Sequence, residues 1–419
     1  MKTKKFFIKW KHFNHKKIVA IVFLIAMFYV GSATFPLTLK SIIGFLNDEY
    51  SDILSSANQI DDEYRNMLGF SDNNLRNKGF YINLNGLMAR IMGQRYMNER
   101  VKLDNGHLTT LGGISDISRS ATQLTKLHMK QIENGKTFLF VLAPYQIPIY
   151  EDIVPTGYKD STNQVADDLL FALRENGVPL LDLREEMFTE GINHSEAFFI
   201  TDHHWKPETG FWAYTKIIDY LVNTKTIDPV PPKYTDIDAY NVDTFRDFFL
   251  GSHGKRTGIY FAGIDDFSVI VPKFETDISI NIPSKELNKR GEFAEIAFDK
   301  SRLRLDYFSE NPYAAYNHGS AGGYRIYHND AAPVDANVLA IGDSFSVVPF
   351  TFLPLVFNTS EQLDMRSFEG DFEEYFYSYD PDIVIVLINP TTIKGRNATY
   401  DFFNDFIDSQ MINDELDDE

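Results

Sequence analysis

Three short runs of apolar residues constrain this chain more than any other feature. Residues 137–143 read Thr-Phe-Leu-Phe-Val-Leu-Ala, 336–341 read Ala-Asn-Val-Leu-Ala-Ile, and 382–388 read Asp-Ile-Val-Ile-Val-Leu-Ile. A strand with one wet face alternates polar and apolar residues, whereas a strand covered on both faces reads as nearly continuous apolar sequence. The runs therefore predict strands of a buried parallel sheet. The spacing supplies the crossovers. Residues 115–135 are helical in pattern and close at Gly135; residues 165–176 form a second helix closed by Gly177, and a strand follows at 178–183. Strand, helix, strand with short joints is a βαβ unit, so the fold class is α/β, a parallel sheet flanked by helices. A further strand at 361–368 and a helix over 370–379 repeat the pattern late in the chain. The intervening 225–330 stretch is rich in aromatics, Gly and Pro, with alternation at 267–272. It reads as an insertion of β character rather than a separate domain.

Charge restricts location and partners. The 419 residues contain no cysteine, which excludes disulfides, thiolate metal sites, iron–sulfur clusters and a cysteine nucleophile. Lys+Arg is 40 against Asp+Glu 59, a net charge of −19, which makes a nucleic acid partner unsuitable. Seven lysines (Lys2, Lys4, Lys5, Lys9, Lys11, Lys16 and Lys17) precede any acid, so the remainder carries −26. Residues 18–39 then hold no charge at all. As a helix they span about 33 Å, enough for a ~30 Å hydrocarbon core. Lysines stay on the cytoplasmic side, which places everything beyond the helix outside the membrane. Gly31-Ser32-Ala33 would suit a signal-peptide cleavage site, but the apolar run continues past it through Phe35, Pro36 and Leu37. An uncleaved anchor is the better reading. The expected layout is a cytoplasmic basic segment (1–17), a transmembrane helix (18–39), a polar, helix-rich lead-in with few strands (40–110), a catalytic domain (111–400) and a solvated acidic tail (401–419).

Candidate chemistry falls at predicted strand ends. Asp202-His203-His204-Trp205 precedes a helix starting near Pro207. In extended backbone Asp202 and His204 share a face and His203 points away, so the carboxylate can orient one imidazole. Ser344 follows Gly342-Asp343 at the carboxyl end of a strand, where open α/β sheets bind ligands, and Gly342 permits a tight turn. Asn389 also ends a buried strand, suited either to an oxyanion or to capping a turn. Each signal alone is ordinary. Together they supply a hydroxyl, a base, an orienting acid and fixed donors, the requirements of a serine nucleophile.

Thr201-Asp-His-His-Trp205 with Gly342-Asp-Ser-Phe345 resembles the DHHW family of bacterial exported proteins, relatives of the alginate O-acetylation proteins. The resemblance spans roughly residues 70–400 and takes in Ala143-Pro-Tyr-Gln146 and Phe249-Leu-Gly-Ser-His-Gly-Lys-Arg256. It implies an SGNH hydrolase-like fold in permuted order, with Asp-His before Ser. It also implies Ser344 as nucleophile, His204 as base and Asp202 as orienting acid. Asn389 and Gly342 would serve the oxyanion, although Leu387-Ile388 lack the glycine of that family block. Arg256 and Trp205 are substrate-site candidates. The implied activity is O-acetylation of a cell-surface or exopolysaccharide through a Ser344 ester, with no cofactor or metal. A membrane-bound O-acyltransferase would supply the acyl group. The alternatives are an acetylesterase using the same residues, a non-catalytic polysaccharide-binding scaffold, and a metal enzyme using Asp202, His203, His204 and Asp343. Adjacent histidines on opposite faces argue against the last.

Overall fold

The computed structural model describes residues 78–319, 324–393 and 402–403. The expected basic segment (1–17), transmembrane helix (18–39), lead-in residues 40–77 and nearly all of the 401–419 tail lie outside the described residues. Among those described, no helix is long and apolar enough to cross a membrane. The chain divides into two units, Met1–Leu84 and Asn85–Glu419. Every described strand belongs to the second unit.

Between residues 96 and 109 the lead-in forms a small antiparallel sheet of β1 (Tyr96–Met97), β2 (Arg100–Lys102) and β3 (Leu108–Thr109). The expectation of few strands is corrected here. The β1–β2 hairpin turns on Asn98 and Glu99, both at positive φ (48° and 61°), the requirement of the two-residue turn that matches strand twist. Asn-Glu lacks the Gly that normally announces such a turn.

The main sheet has eight strands: β4 (Thr137–Leu142), β5 (Leu180–Asp182), β8 (Ile278–Ile282), β9 (Leu287–Gly291), β10 (Tyr324–His328), β11 (Val334–Gly342), β12 (Phe357–Leu363) and β13 (Ile383–Ile388). Their order is β5-β4-β13-β11-β12-β10-β8-β9. The first five run parallel and the last three antiparallel. The sheet is thus mixed, not wholly parallel. Its antiparallel half comes largely from the 225–330 insertion, which also contributes a separate two-stranded ribbon of β6 (Tyr240–Phe249) and β7 (Asp265–Pro272).

Side-chain alternation in the apolar strands separates two cores. Leu139, Val141, Ala340, Ile385 and Leu387 face one core with Trp205, Phe211, Ile217 and Phe352. Phe138, Phe140, Ile341, Val384 and Val386 face the other with Leu124, Leu127, Leu169 and Leu173. Helices Ser118–Glu133, Thr162–Glu175 and Phe372–Tyr379 cover this second face, and Pro207–Asn223 and Val347–Phe352 the first. The fold is α/β with a covered central sheet. Phe402 and Phe403, assigned to the tail, are instead buried, with Gln123 bonded to both backbone groups of Phe403 (3.0 Å each).

Candidate functional site

The carboxyl ends of β11 and β13 are tied together by one buried side chain. Asp343 follows β11, caps the Ser344–Ser346 turn by accepting from Phe345 N (2.8 Å), and accepts from Asn389 N beyond β13 (2.8 Å). Burial pushes its carboxyl pKa up. The backbone here is too close for any side chain at position 342. A Cβ on Gly342 would lie 2.4 Å from Ser346 Cβ and 2.8 Å from Leu387 O. Gly342 is thus required by close approach rather than by turn conformation.

The turn lifts Ser344 towards the second constellation. Ser344 Oγ lies 2.8 Å from His204 Nε2, and His204 Nδ1 lies 2.5 Å from Asp202 Oδ1. A carboxylate only accepts, so Nδ1 carries the proton and a neutral ring accepts from the serine hydroxyl at Nε2. Tyr313 stacks on the His204 ring at 4.1 Å and 14°, fixing its plane. Burial works against the Asp202 charge, but the His203 and His204 imidazoles outweigh it and hold the carboxyl well below its usual range.

The strand-like geometry expected for residues 202–204 is not what brings them together. The segment bends, and Asp202 Oδ1 also accepts from the His204 backbone N (3.0 Å), the two-residue hydrogen bond that Asp forms in turns. His203 consequently does not point away. Its ring lies 3.8 Å from that of His204, and its Nδ1 is 3.0 Å from Ser252 Oγ. The donor atoms of Asp202, His203 and His204 all fall within 4.8 Å of one another, so the opposite-face argument against a shared ion fails. The donor chemistry still fits an ion poorly, because both His204 nitrogens are already engaged by Asp202 and Ser344.

Two further elements hold the bend. Gln146, after β4, donates to Asp202 O (2.5 Å) and Phe199 O (3.3 Å). Asp265 accepts from Ile200 N, Thr201 N (2.8 Å each) and Thr201 Oγ1 (2.6 Å). From the other side, Gly251 N donates to Thr201 Oγ1 (2.7 Å) and Ser252 N to Asp202 Oδ2 (2.6 Å). In the same segment His253 Nδ1 accepts from Arg100 Nε (2.8 Å). The Ala143–Gln146 and Phe249–Arg256 blocks were visible as motifs. Asp265, Tyr313 and Arg100 carried no local signal.

The remaining sequence candidates are placed differently from their expected roles. Trp205 is wholly buried, 5.4 Å from the Phe345 ring, and packs beneath the site rather than facing a substrate. The Asn389 side chain caps the following turn, accepting from Thr391 N (2.9 Å) and Thr391 Oγ1 (2.6 Å), while its amide points to Pro144 O (3.4 Å). Arg256 is exposed on the Ser252–Thr257 helix, and its carbonyl accepts from Asn98.

Residues 107–242 match the family model described as the SGNH hydrolase-like domain of acetyltransferase AlgX. That span contains Asp202 and His204 but not Ser344. Among solved structures, Bacillus cereus PatB1 is similar at TM-score 0.59 and 16% identity, covering 74% of this chain and 98% of that one. The same protein solved with a sulfonyl adduct gives 0.58 and 15%, covering 73% and 100%. A DHHW family protein from Eubacterium siraeum gives 0.54 and 15%, covering 73% and 95%. At these identities the structures establish the fold. No curated protein matches this sequence. The family model bears out the SGNH hydrolase-like resemblance read from the motifs, and a DHHW family protein is among the structures that share the fold.

Proposed function

We propose that this chain is a membrane-anchored, extracytoplasmic serine O-acetyltransferase acting on a cell-surface or exopolysaccharide. The observation that carries the reading is the unbroken Asp202–His204–Ser344 chain at 2.5 and 2.8 Å. In this reading Ser344 Oγ attacks the acyl carbonyl as His204 Nε2 takes its proton, and Asp202 stabilises the imidazolium. Collapse of the tetrahedral intermediate expels the donor's leaving group with that proton. A sugar hydroxyl, deprotonated by His204 Nε2, then attacks the Ser344 ester; collapse breaks the bond from the acyl carbon to Ser344 Oγ, releases the acetylated sugar and returns the proton from His204 to Ser344 Oγ. Phe345 N and Ser346 N are spent on Asp343, which leaves the Ser344 N–H to serve the oxyanion. The acyl supplier is a membrane-bound O-acyltransferase, and the anchor is the uncharged 18–39 segment.

The test is covalent. An activated acyl ester, or a sulfonyl fluoride, should add its mass to the peptide containing Ser344. Labelling should vanish in Ser344→Ala and fall strongly in His204→Ala. Absence of label on folded wild-type protein across several donors would favour a binding scaffold. Turnover accelerated by glycan over water marks a transferase, and turnover indifferent to glycan marks an esterase.

A further inference from the structure

Two large aromatic rings stand in water beside one another at the ligand-binding edge of the sheet. Tyr150 is 57% exposed and Phe188 60% exposed. Their centroids lie 4.5 Å apart at 60°. Single exposed aromatics are ordinary on protein surfaces, but contiguous ones mark contact sites. This pair is also held in place, since Tyr150 donates its hydroxyl hydrogen bond to Glu185 (2.5 Å).

Their position follows from topology. Tyr150 lies in the loop between β4 and the Thr162–Glu175 helix, and Phe188 sits on the Leu183–Thr189 helix after β5. Strands β5, β4, β13 and β11 are neighbours and parallel, so both rings share the edge that presents Ser344. Three strand spacings of ~4.8 Å put β5 about 14 Å from β11. The loop gives an independent bound. Gln146 touches Asp202 O, and Tyr150 follows four residues later, at most about 14 Å along an extended chain.

We infer that Tyr150 and Phe188 form a stacking platform for the acceptor polysaccharide, several sugar residues away from the one whose hydroxyl meets Ser344. This rests on the acyl-transfer reading above. Sugar rings offer C–H faces to aromatic rings and hydroxyls to carboxylates; Glu185 is bonded to the Tyr150 hydroxyl, and Glu151 lines the same cavity as both rings. The acids also select against anionic polymers. The adjacent cation, Arg184, is buried and spent on Asp182 (2.8 Å) and Asp167 (2.7 Å). The platform therefore fits a neutral or amino-sugar glycan.

The experiment compares the full chain in nanodiscs of zwitterionic lipid with Tyr150→Ala, Phe188→Ala and the double variant, and with Tyr150→Phe and Phe188→Tyr, which keep the rings. Probes are the β-1,4 hexamers of glucose and of N-acetylglucosamine, a uronic acid hexamer, N-acetylglucosamine itself, and anionic phospholipid vesicles. Binding of a neutral hexamer should weaken about tenfold in the double variant, as expected for losing two ring contacts. The ring-keeping variants should bind like wild type. Ser344 labelling and transfer to the monosaccharide should not change. Unaltered hexamer binding in the double variant, no binding of either neutral hexamer by wild type, or preference for the uronate hexamer would each overturn the platform. Loss of vesicle binding in place of glycan binding would assign the rings to the membrane and overturn it too. A platform that binds glycan in a protein whose Ser344 never labels would sink the acyl-transfer reading while leaving the binding site standing.

Discussion

Gly251→Ala adds one methyl group and should disable the site from a position that never touches a substrate. Gly251 has φ −71° and ψ −180°, a backbone conformation open to alanine, so strain is not the issue. Space is. The new Cβ would sit 2.2 Å from Asp202 Cβ and 2.6 Å from both Asp202 Cα and Oδ2. Carbon atoms rest about 3.5–4.0 Å apart, so the two segments must separate by roughly 1.5 Å. They cannot do so freely. The hydrogen bonds from Gly251 N, Ser252 N and Gly254 N, at 2.7, 2.6 and 2.8 Å, bind this segment to Thr201 and Asp202. Shared equally, the displacement moves Asp202 by about 0.7 Å, enough to lengthen the 2.5 Å bond to His204 to about 3.2 Å, the long and weak end of the hydrogen-bond range, and to misalign the ring it orients. Misplacement on this scale costs about 10²-fold in rate. Overpacking should lower stability by about 1–3 kcal/mol. The assay is the rate of Ser344 acylation by intact mass, with a thermal melt alongside. Gly113→Ala, whose Cβ would meet nothing within 4 Å, is the matched control. Acylation within about threefold of wild type at an unchanged melting midpoint would refute the reasoning.

Asp202→Asn should keep the fold and slow acylation by about 10³–10⁴-fold, because an amide cannot accept at every oxygen position and disturbs the Nδ1–H tautomer; single-turnover labelling checks it. The depressed Asp202 pKa stabilises the fold above the unfolded value of about 3.9 and loses that contribution as pH falls through the folded value. The stability gap between wild type and Asp202→Asn should therefore be full near neutrality and close in strong acid, as followed by denaturant melts. His204→Ala should abolish labelling by about 10³-fold or more, whereas His203→Ala, which removes a tilted neighbour bonded to Ser252 and one of the two imidazoles acting on Asp202, should cost about tenfold or less; equal losses in folded variants would mean a shared ion or a misassigned base. Protease added to intact protoplasts should digest residues beyond 45, and full protection would overturn the extracytoplasmic placement.

The parallel half of the sheet was legible because burial on both faces leaves no room for polar residues. Thr137–Leu142 and Ile383–Ile388 are buried nearly throughout, and their apolar runs say so. The same logic hid the next strand. β12 was expected at 361–368 but runs Phe357–Leu363, through Asn358, Thr359, Ser360, Glu361 and Gln362. Those polar residues are satisfied by tertiary partners: Gln362 donates to Phe350 O (2.8 Å) and accepts from Asn317 (2.7 Å). Periodicity cannot register a polar strand whose partners lie elsewhere in the chain. The antiparallel strands were read as β in character, but nothing local says which sheet edge a strand joins.

For the site, the pairing of Asp202 with His204 was reached through an incorrect geometry. Extended backbone and an Asp-capped bend both bring residues i and i+2 together, so the two premises agree on that pair and differ only over His203. The difference has consequences. A strand would leave His203 in solvent, and Gly251 would have no reason to lack a side chain. The bend instead folds His203 over His204 and buries Asp202 against the Gly251–Ser252 backbone, where fixed N–H donors hold the bend while the two imidazoles keep the buried acid ionised. Those donors come from segments about 50 residues further on, and the anchoring carboxylate, Asp265, from more than 60. Short motifs encode the groups that react. The groups that hold them at 2.5 and 2.8 Å are scattered: Gln146 follows β4 and Asp343 follows β11, while Gly251, Ser252, Asp265 and Tyr313 come from the 225–330 insertion, whose role at this site is to supply the wall against which the Asp202 bend is set.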